Sequence, residues 1–117
     1  MENKKKVLFV CTANRYRSRT AYELFKDNPD LEVDSCGLES FYVRDTKKFY
    51  WDKAKEFTPE LYEWADIVYV MEDYHMYLLE EKGINSSDSK LINLGIEDIY
   101  EYNNPELIDL LKSKIKI

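Results

Sequence analysis

The sequence predicts an α/β protein: a three-layer α/β/α arrangement around a four-stranded parallel sheet in the order 2-1-3-4. Three observations predict it. Strand-like and helix-like segments alternate along the chain, the pattern of a parallel sheet covered on both faces. The first strand candidate is continuously apolar after Lys6, through Val7, Leu8, Phe9 and Val10, as a strand buried on both sides requires. Right-handed crossovers, with a switch point beside that strand, give the order 2-1-3-4 and put a ligand site at the carboxyl ends of the strands.

The elements follow in order. After Lys6–Val10 comes a loop, Cys11–Arg17, and a helix starting near Ser18. That helix ends before Asn28-Pro29, because proline disfavours helix for its predecessor, and it buries Ala21, Leu24 and Phe25. Leu31 to Ser35 alternates apolar and polar as an edge strand does, and Cys36-Gly37 ends it. From Leu38 to Phe57 a loop and a short helix are expected, carrying Phe41, Tyr42, Phe49, Tyr50 and Trp51 over the sheet or beside the site. Thr58-Pro59-Glu60 is a helix start, with a threonine cap and proline in the first position, and Leu61 and Trp64 face the core. Ile67–Met71 is the next central strand. Asp73 caps a helix running to Lys82, with Gly83 as its stop. Leu91–Leu94 is the fourth strand, and Asn104-Pro105-Glu106 begins a last helix with Leu107, Ile108, Leu111 and Ile115 on one face.

At 117 residues the chain makes one domain, residues 1–117, with room for a real core. No apolar run approaches the roughly 20 residues needed to span a bilayer. The short apolar run after the basic N-terminus lacks a cleavage-like site, so no signal peptide is expected. Two cysteines, Cys11 and Cys36, are too few for a disulfide scaffold and fit a reducing, cytoplasmic setting. With a single histidine, His75, and no Cys/His cluster, no metal is expected; His75 reads as an exposed helix residue. A net charge of −6 excludes a general nucleic-acid binder, and no membrane partner is expected. Yet Arg15, Arg17 and Arg19 fall within five residues, a local positive site suited to a small anionic group.

The stretch Cys11-Thr12-Ala13-Asn14-Arg15-Tyr16-Arg17-Ser18 organises the rest. A buried strand delivers a cysteine to a tight loop, and the loop feeds a helix N-terminus where backbone N–H groups converge on an anion. Asn14 is the loop residue most tolerant of a left-handed backbone. Arg17 adds a planar fork that matches phosphate oxygens. Helix N-terminus and arginine together favour the thiolate, so the residues alone point to Cys11 as a nucleophile held under a bound phosphate. Ser18 can donate its hydroxyl to that thiolate. Arg15 and Arg19 read as solvated residues or substrate-steering charges, and Cys36 as buried filler at a strand end.

From Val7 to Ser18 the chain resembles the phosphate loop of the low-molecular-weight protein tyrosine phosphatases, with its C-x5-R-S pattern. Val33-Asp34-Ser35-Cys36-Gly37 is similar to the family's second-strand ending, and Ala65–Glu72 to its third strand. Asp98-Ile99-Tyr100 is similar to its Asp-Pro-Tyr acid loop, with Ile99 where proline usually stands. Ala13 stands where glycine is usual and Tyr16 where a second cysteine is usual. The resemblance implies a phosphotyrosine phosphatase I-like fold and a monomeric, cofactor-free phosphatase acting on a phosphotyrosine protein or another phosphomonoester. By it, the N–H groups from Thr12 through Ala13, Asn14, Arg15 and Tyr16 bind the phosphate with Arg17, and Asn14 and Ser35 brace the loop. Asp98 is the acid that protonates the leaving group, with Glu97 and Glu101 as alternatives. Tyr100 stacks on the substrate ring, with Tyr42 or Phe41 opposite. Three rival functions share these features: a phosphotyrosine-binding module without turnover, an arsenate reductase, which needs further cysteines to relay a disulfide, and a phosphatase for another phospho-group such as phosphoarginine.

Overall fold

The computed structural model describes residues 4–12, 17–38 and 56–116. The segment expected to hold a short helix, with Phe41 and Tyr42, lies outside them. Among the described residues the chain runs β1 (Lys5–Cys11), α1 (Arg17–Phe25), β2 (Leu31–Gly37), α2 (Pro59–Trp64), β3 (Ile67–Val70), α3 (Asp73–Glu81), β4 (Leu91–Asn93) and α4 (Pro105–Lys114). The four strands form one parallel sheet in the order β2-β1-β3-β4, as the alternation of elements predicts.

β1 is central because every residue from Val7 to Cys11 is buried. Alternate side chains enter opposite layers. Val7, Phe9 and Cys11 pack with Tyr69 and Met71 under Ala21 of α1 and Leu107 and Leu111 of α4. Leu8 and Val10 join Cys36, Val68 and Val70 under Tyr62 of α2 and Leu79 of α3. Phe9 is stacked between Phe25 (centroids 5.9 Å apart) and Tyr69 (5.7 Å), which ties α1 through β1 to β3. Offset ring pairs of this kind are worth ~1 kcal/mol beyond the area they bury.

Several boundaries differ from the sequence expectation. β2 continues to Gly37, since Cys36 pairs with Val10 and Gly37 with Cys11 at the buried edge of the sheet. β3 stops at Val70, and β4 at Asn93, although the Leu94 N–H still donates to the Val70 carbonyl at 2.9 Å. The N-cap of α3 is Glu72, not Asp73. Asp73 instead accepts from the Asn93 side chain at 2.7 Å, joining α3 to the end of β4. On α2 the buried side chain is Tyr62, with Leu61 and Trp64 only partly covered.

The helix termini follow the local signals closely. Thr58 Oγ1 accepts from the Leu61 N–H ahead of Pro59, and Asn104 Oδ1 accepts from the Glu106 and Leu107 N–H groups ahead of Pro105. After α3, Gly83 takes φ +89°, Gly83 N–H donates to the Glu80 carbonyl and Ile84 N–H to the Leu79 carbonyl. That pair of bonds is a Schellman close, which requires the left-handed residue that glycine supplies without strain. No helix of the described residues is long and apolar enough to cross a membrane.

Candidate active site

The carboxyl ends of β1, β3 and β4 converge on the N-terminus of α1. Cys11 ends β1 and is 3% exposed; Ser18, in the first turn of α1, is fully buried. Their side chains meet, with Cys11 Sγ 2.9 Å from Ser18 Oγ. A thiolate has no proton to give, so in the ionised state the serine hydroxyl donates to sulfur.

Arg17, the first residue of α1, is 1% exposed. A buried guanidinium is tolerated only where its N–H groups and its charge are matched. Nη1 donates to Glu72 Oε2 at 2.6 Å and to the Ile96 carbonyl at 2.8 Å, and Nη2 lies 3.7 Å from Asp98 Oδ1. Glu72 comes from the end of β3, Ile96 and Asp98 from the segment after β4. The arginine on α1 therefore ties together two other parts of the chain, the turn after β3 and the segment after β4. Among the described residues, Glu72 and Asp98 are the carboxylates within ion-pair distance of Arg17; Glu97 and Glu101 are exposed and outside that range.

His75 departs from its expected exposed position: it is fully buried. Its Nδ1 accepts from the backbone N–H groups of Met71 (3.2 Å) and Glu72 (3.3 Å), and its Nε2 lies 3.0 Å from Thr12 Oγ1. Since Nδ1 is an acceptor, the neutral ring carries its proton on Nε2 and donates it to threonine. Burial, reinforced by the Arg17 charge, pushes the imidazole down to about 3.

The segment that carries Asp98 is anchored on α1. The Arg19 guanidinium sits 4.0 Å from the Tyr102 ring centroid, and the Asn103 N–H donates to Thr20 Oγ1 at 2.9 Å. Asn103 has φ 63°, a left-handed turn that asparagine tolerates better than most residues. Arg19 is thus a packing residue of this segment, where a solvated or steering charge was one expectation. Tyr100 is half-buried against the Phe9 side of the core, and it lines a hollow of about 430 Å3 with Glu106, Asp109, Leu110 and Ser113 of α4.

The remaining expectations divide by position. Ala13, Asn14, Arg15 and Tyr16 lie outside the described residues. Ser35 is 2% exposed on β2, opposite Phe9 of β1. Cys36 is buried in the layer beneath the sheet, on the face opposite Cys11. Glu72 and His75 were missed as site residues. Their available signal was their place at the start of the helix that follows β3, the strand that pairs with the Cys11 strand.

No protein-family model matches the chain, and no curated protein matches it by sequence. Solved structures do match it. Wzb from Vibrio vulnificus, solved in complex with benzylphosphonate, superposes with a TM-score of 0.69 at 20% identity, over 94% of this chain and 91% of that one. The low-molecular-weight protein tyrosine phosphatase of Streptococcus pyogenes gives 0.65 at 20% identity, over 96% and 94%. The YwlE arginine phosphatase of Geobacillus stearothermophilus gives 0.63 at 25% identity, over 94% and 92%. The chain has the fold of the low-molecular-weight protein tyrosine phosphatases, the family its sequence resembles.

Proposed function

We propose that this protein is a cysteine-dependent phosphatase that hydrolyses phosphate monoesters, with aryl phosphates such as phosphotyrosine as the preferred class. The observation that carries the reading is the contact of Cys11 Sγ with Ser18 Oγ at 2.9 Å, the serine following the buried Arg17 at the start of α1, on the fold of a phosphatase family.

The Cys11 thiolate attacks phosphorus, an S–P bond forms and the P–O bond to the aryl group breaks. Asp98, 3.7 Å from Arg17, gives its proton to the leaving phenolate oxygen. Water then attacks the cysteinyl-phosphate, Asp98 takes a proton from it, and the S–P bond breaks to release inorganic phosphate and the thiolate. Ser18 stabilises that departing thiolate. The loop N–H groups from Thr12 to Arg17 and the Arg17 side chain hold the three oxygens that stay on phosphorus, because this reaction needs mainly positioning and charge neutralisation. Benzylphosphonate in the Vibrio protein is a benzylic phosphonate, which supports a ring beside the phosphorus in that fold.

An arsenate-reducing relay is disfavoured by the placement of Cys36 across the sheet from Cys11. The test is turnover of an aryl phosphate, a phosphotyrosine peptide, a phosphoserine peptide and phosphoarginine. The expected result is aryl-ester hydrolysis that is lost in Cys11→Ser and slowed roughly 10²- to 10⁴-fold in Asp98→Asn, the usual range for a general acid. Phosphotyrosine binding without hydrolysis of any of the four compounds would make the protein a binding module. Preference for phosphoarginine would transfer the substrate class to that of the Geobacillus protein.

A further inference from the structure

His75 ties the end of β3 to the residue that follows the cysteine, 63 positions away in sequence. We propose that His75 is a positioning residue of the phosphate loop: its imidazole bridges the Met71 and Glu72 backbone to the Thr12 hydroxyl and so fixes the first loop N–H beside Cys11. The inference rests on the phosphatase reading for its kinetic consequence, but the bridge itself stands on geometry.

Four observations carry it. The ring is fully buried, although histidine is a costly residue to bury without partners. Both ring nitrogens have partners, Nδ1 two backbone N–H groups and Nε2 one hydroxyl. Thr12 is a half-buried residue in a bend, directly after the last residue of β1 and beyond the last ladder pair among the described residues, Cys11 with Gly37. Finally, the two N–H groups that His75 takes up belong to the turn from which Glu72 reaches Arg17. One ring therefore sets the position of the loop's first residue and of the carboxylate that holds its arginine. Thr12, having accepted from the imidazole, keeps its own hydroxyl proton for a further bond.

Three variants separate the bridge from mere packing. His75→Asn keeps an acceptor where Nδ1 stands but cannot reach Thr12. His75→Gln reaches Thr12 with an amide N–H. Thr12→Val removes the hydroxyl with little change of shape. Loss of one such hydrogen bond is expected to weaken inorganic phosphate binding and lower kcat/KM roughly 5- to 30-fold in His75→Asn and Thr12→Val. The double variant should lose no more than either single one, and His75→Gln should recover part of the loss. Multiplicative losses in the double variant, or unchanged phosphate affinity in Thr12→Val, would overturn the inference. If the wild-type protein binds inorganic phosphate but turns over no ester, the phosphatase reading fails, while coupled losses of phosphate affinity at the two positions still uphold the bridge.

Discussion

Arg17 Nη1 lies 2.6 Å from Glu72 Oε2, and the arginine is 1% exposed while the Glu72 side chain is 35% exposed. The ion pair is therefore lopsided: a fully desolvated cation depends on a carboxylate that keeps part of its water. Removing one partner of a buried pair costs about 3–5 kcal/mol, and the partial exposure of Glu72 reduces that to about 1–3 kcal/mol for Glu72→Ala. Bound phosphate would then supply the missing negative charge. Inorganic phosphate should raise the thermal midpoint of Glu72→Ala by more than it raises that of the wild type, read by denaturation with and without the anion. Equal increments would show that Glu72 is not the counter-charge phosphate replaces.

On the phosphatase reading, the Cys11–Ser18 contact predicts a defect in the second half of the reaction. A hydrogen bond to a charged atom is worth about 1.5–3 kcal/mol, so Ser18→Ala should lower kcat roughly 10- to 100-fold. Because the thiolate is a leaving group in intermediate breakdown, the covalent form should accumulate, visible as a burst of nitrophenolate from a nitrophenyl ester. Alkylation of Cys11 by iodoacetamide at neutral pH should also slow. A fall in kcat with neither burst nor slower alkylation would assign Ser18 to packing alone.

His75 predicts the acid limb of stability. Its imidazole is held down to about 3 by burial and by Arg17, against an ordinary value of 6.5. The folded state therefore releases a proton that the unfolded chain binds. Stability from this group is fully present above pH ~6.5 and is lost as pH falls from there toward ~3, since the unfolded state binds more protons across that window. Urea midpoints measured between pH 7 and pH 4 should fall in the wild type and fall less steeply in His75→Asn. Parallel slopes in the two proteins would contradict a buried neutral ring.

The Arg19–Tyr102 contact predicts a rate effect without an affinity effect. Tyr102→Leu removes a cation–ring contact worth roughly 0.5–2 kcal/mol and frees one anchor of the segment that carries Asp98. On the phosphatase reading, kcat should fall while KM and phosphate affinity hold, because Asp98 acts on the leaving group and not on the bound phosphoryl oxygens. A rise in KM with kcat unchanged would place Tyr102 in substrate binding instead.

What could be read from the residues follows the range of the forces involved. The continuous apolar run Val7–Val10, the proline starts at Pro59 and Pro105 and the glycine stop at Gly83 act locally, and each sits where its chemistry predicts. The strand order followed because handedness and burial leave few alternatives. Glu72 and His75 were invisible for the opposite reason. Glu72 meets Arg17 across 55 positions, and His75 meets Thr12 across 63, so neither pairing leaves a mark in neighbouring residues. A histidine at the third position of a helix resembles any surface histidine until the turn before it is found folded over the ring. Arg19 was misjudged likewise, because its ring partner, Tyr102, arrives from the far end of the chain.

The alternation of side chains along β1 and β2 has a last consequence. It leaves one thiol above the sheet and one below, with the buried strands between them, and these are the two cysteines of the sequence. On the phosphatase reading, a peroxide-damaged Cys11 thus has no internal thiol with which to condense, and its sulfenic acid proceeds toward the irreversible acids unless a small-molecule thiol from solution intervenes. Oxidative loss of activity would track the cumulative dose of oxidant and the supply of external reductant, behaving as a fuse rather than a resettable switch.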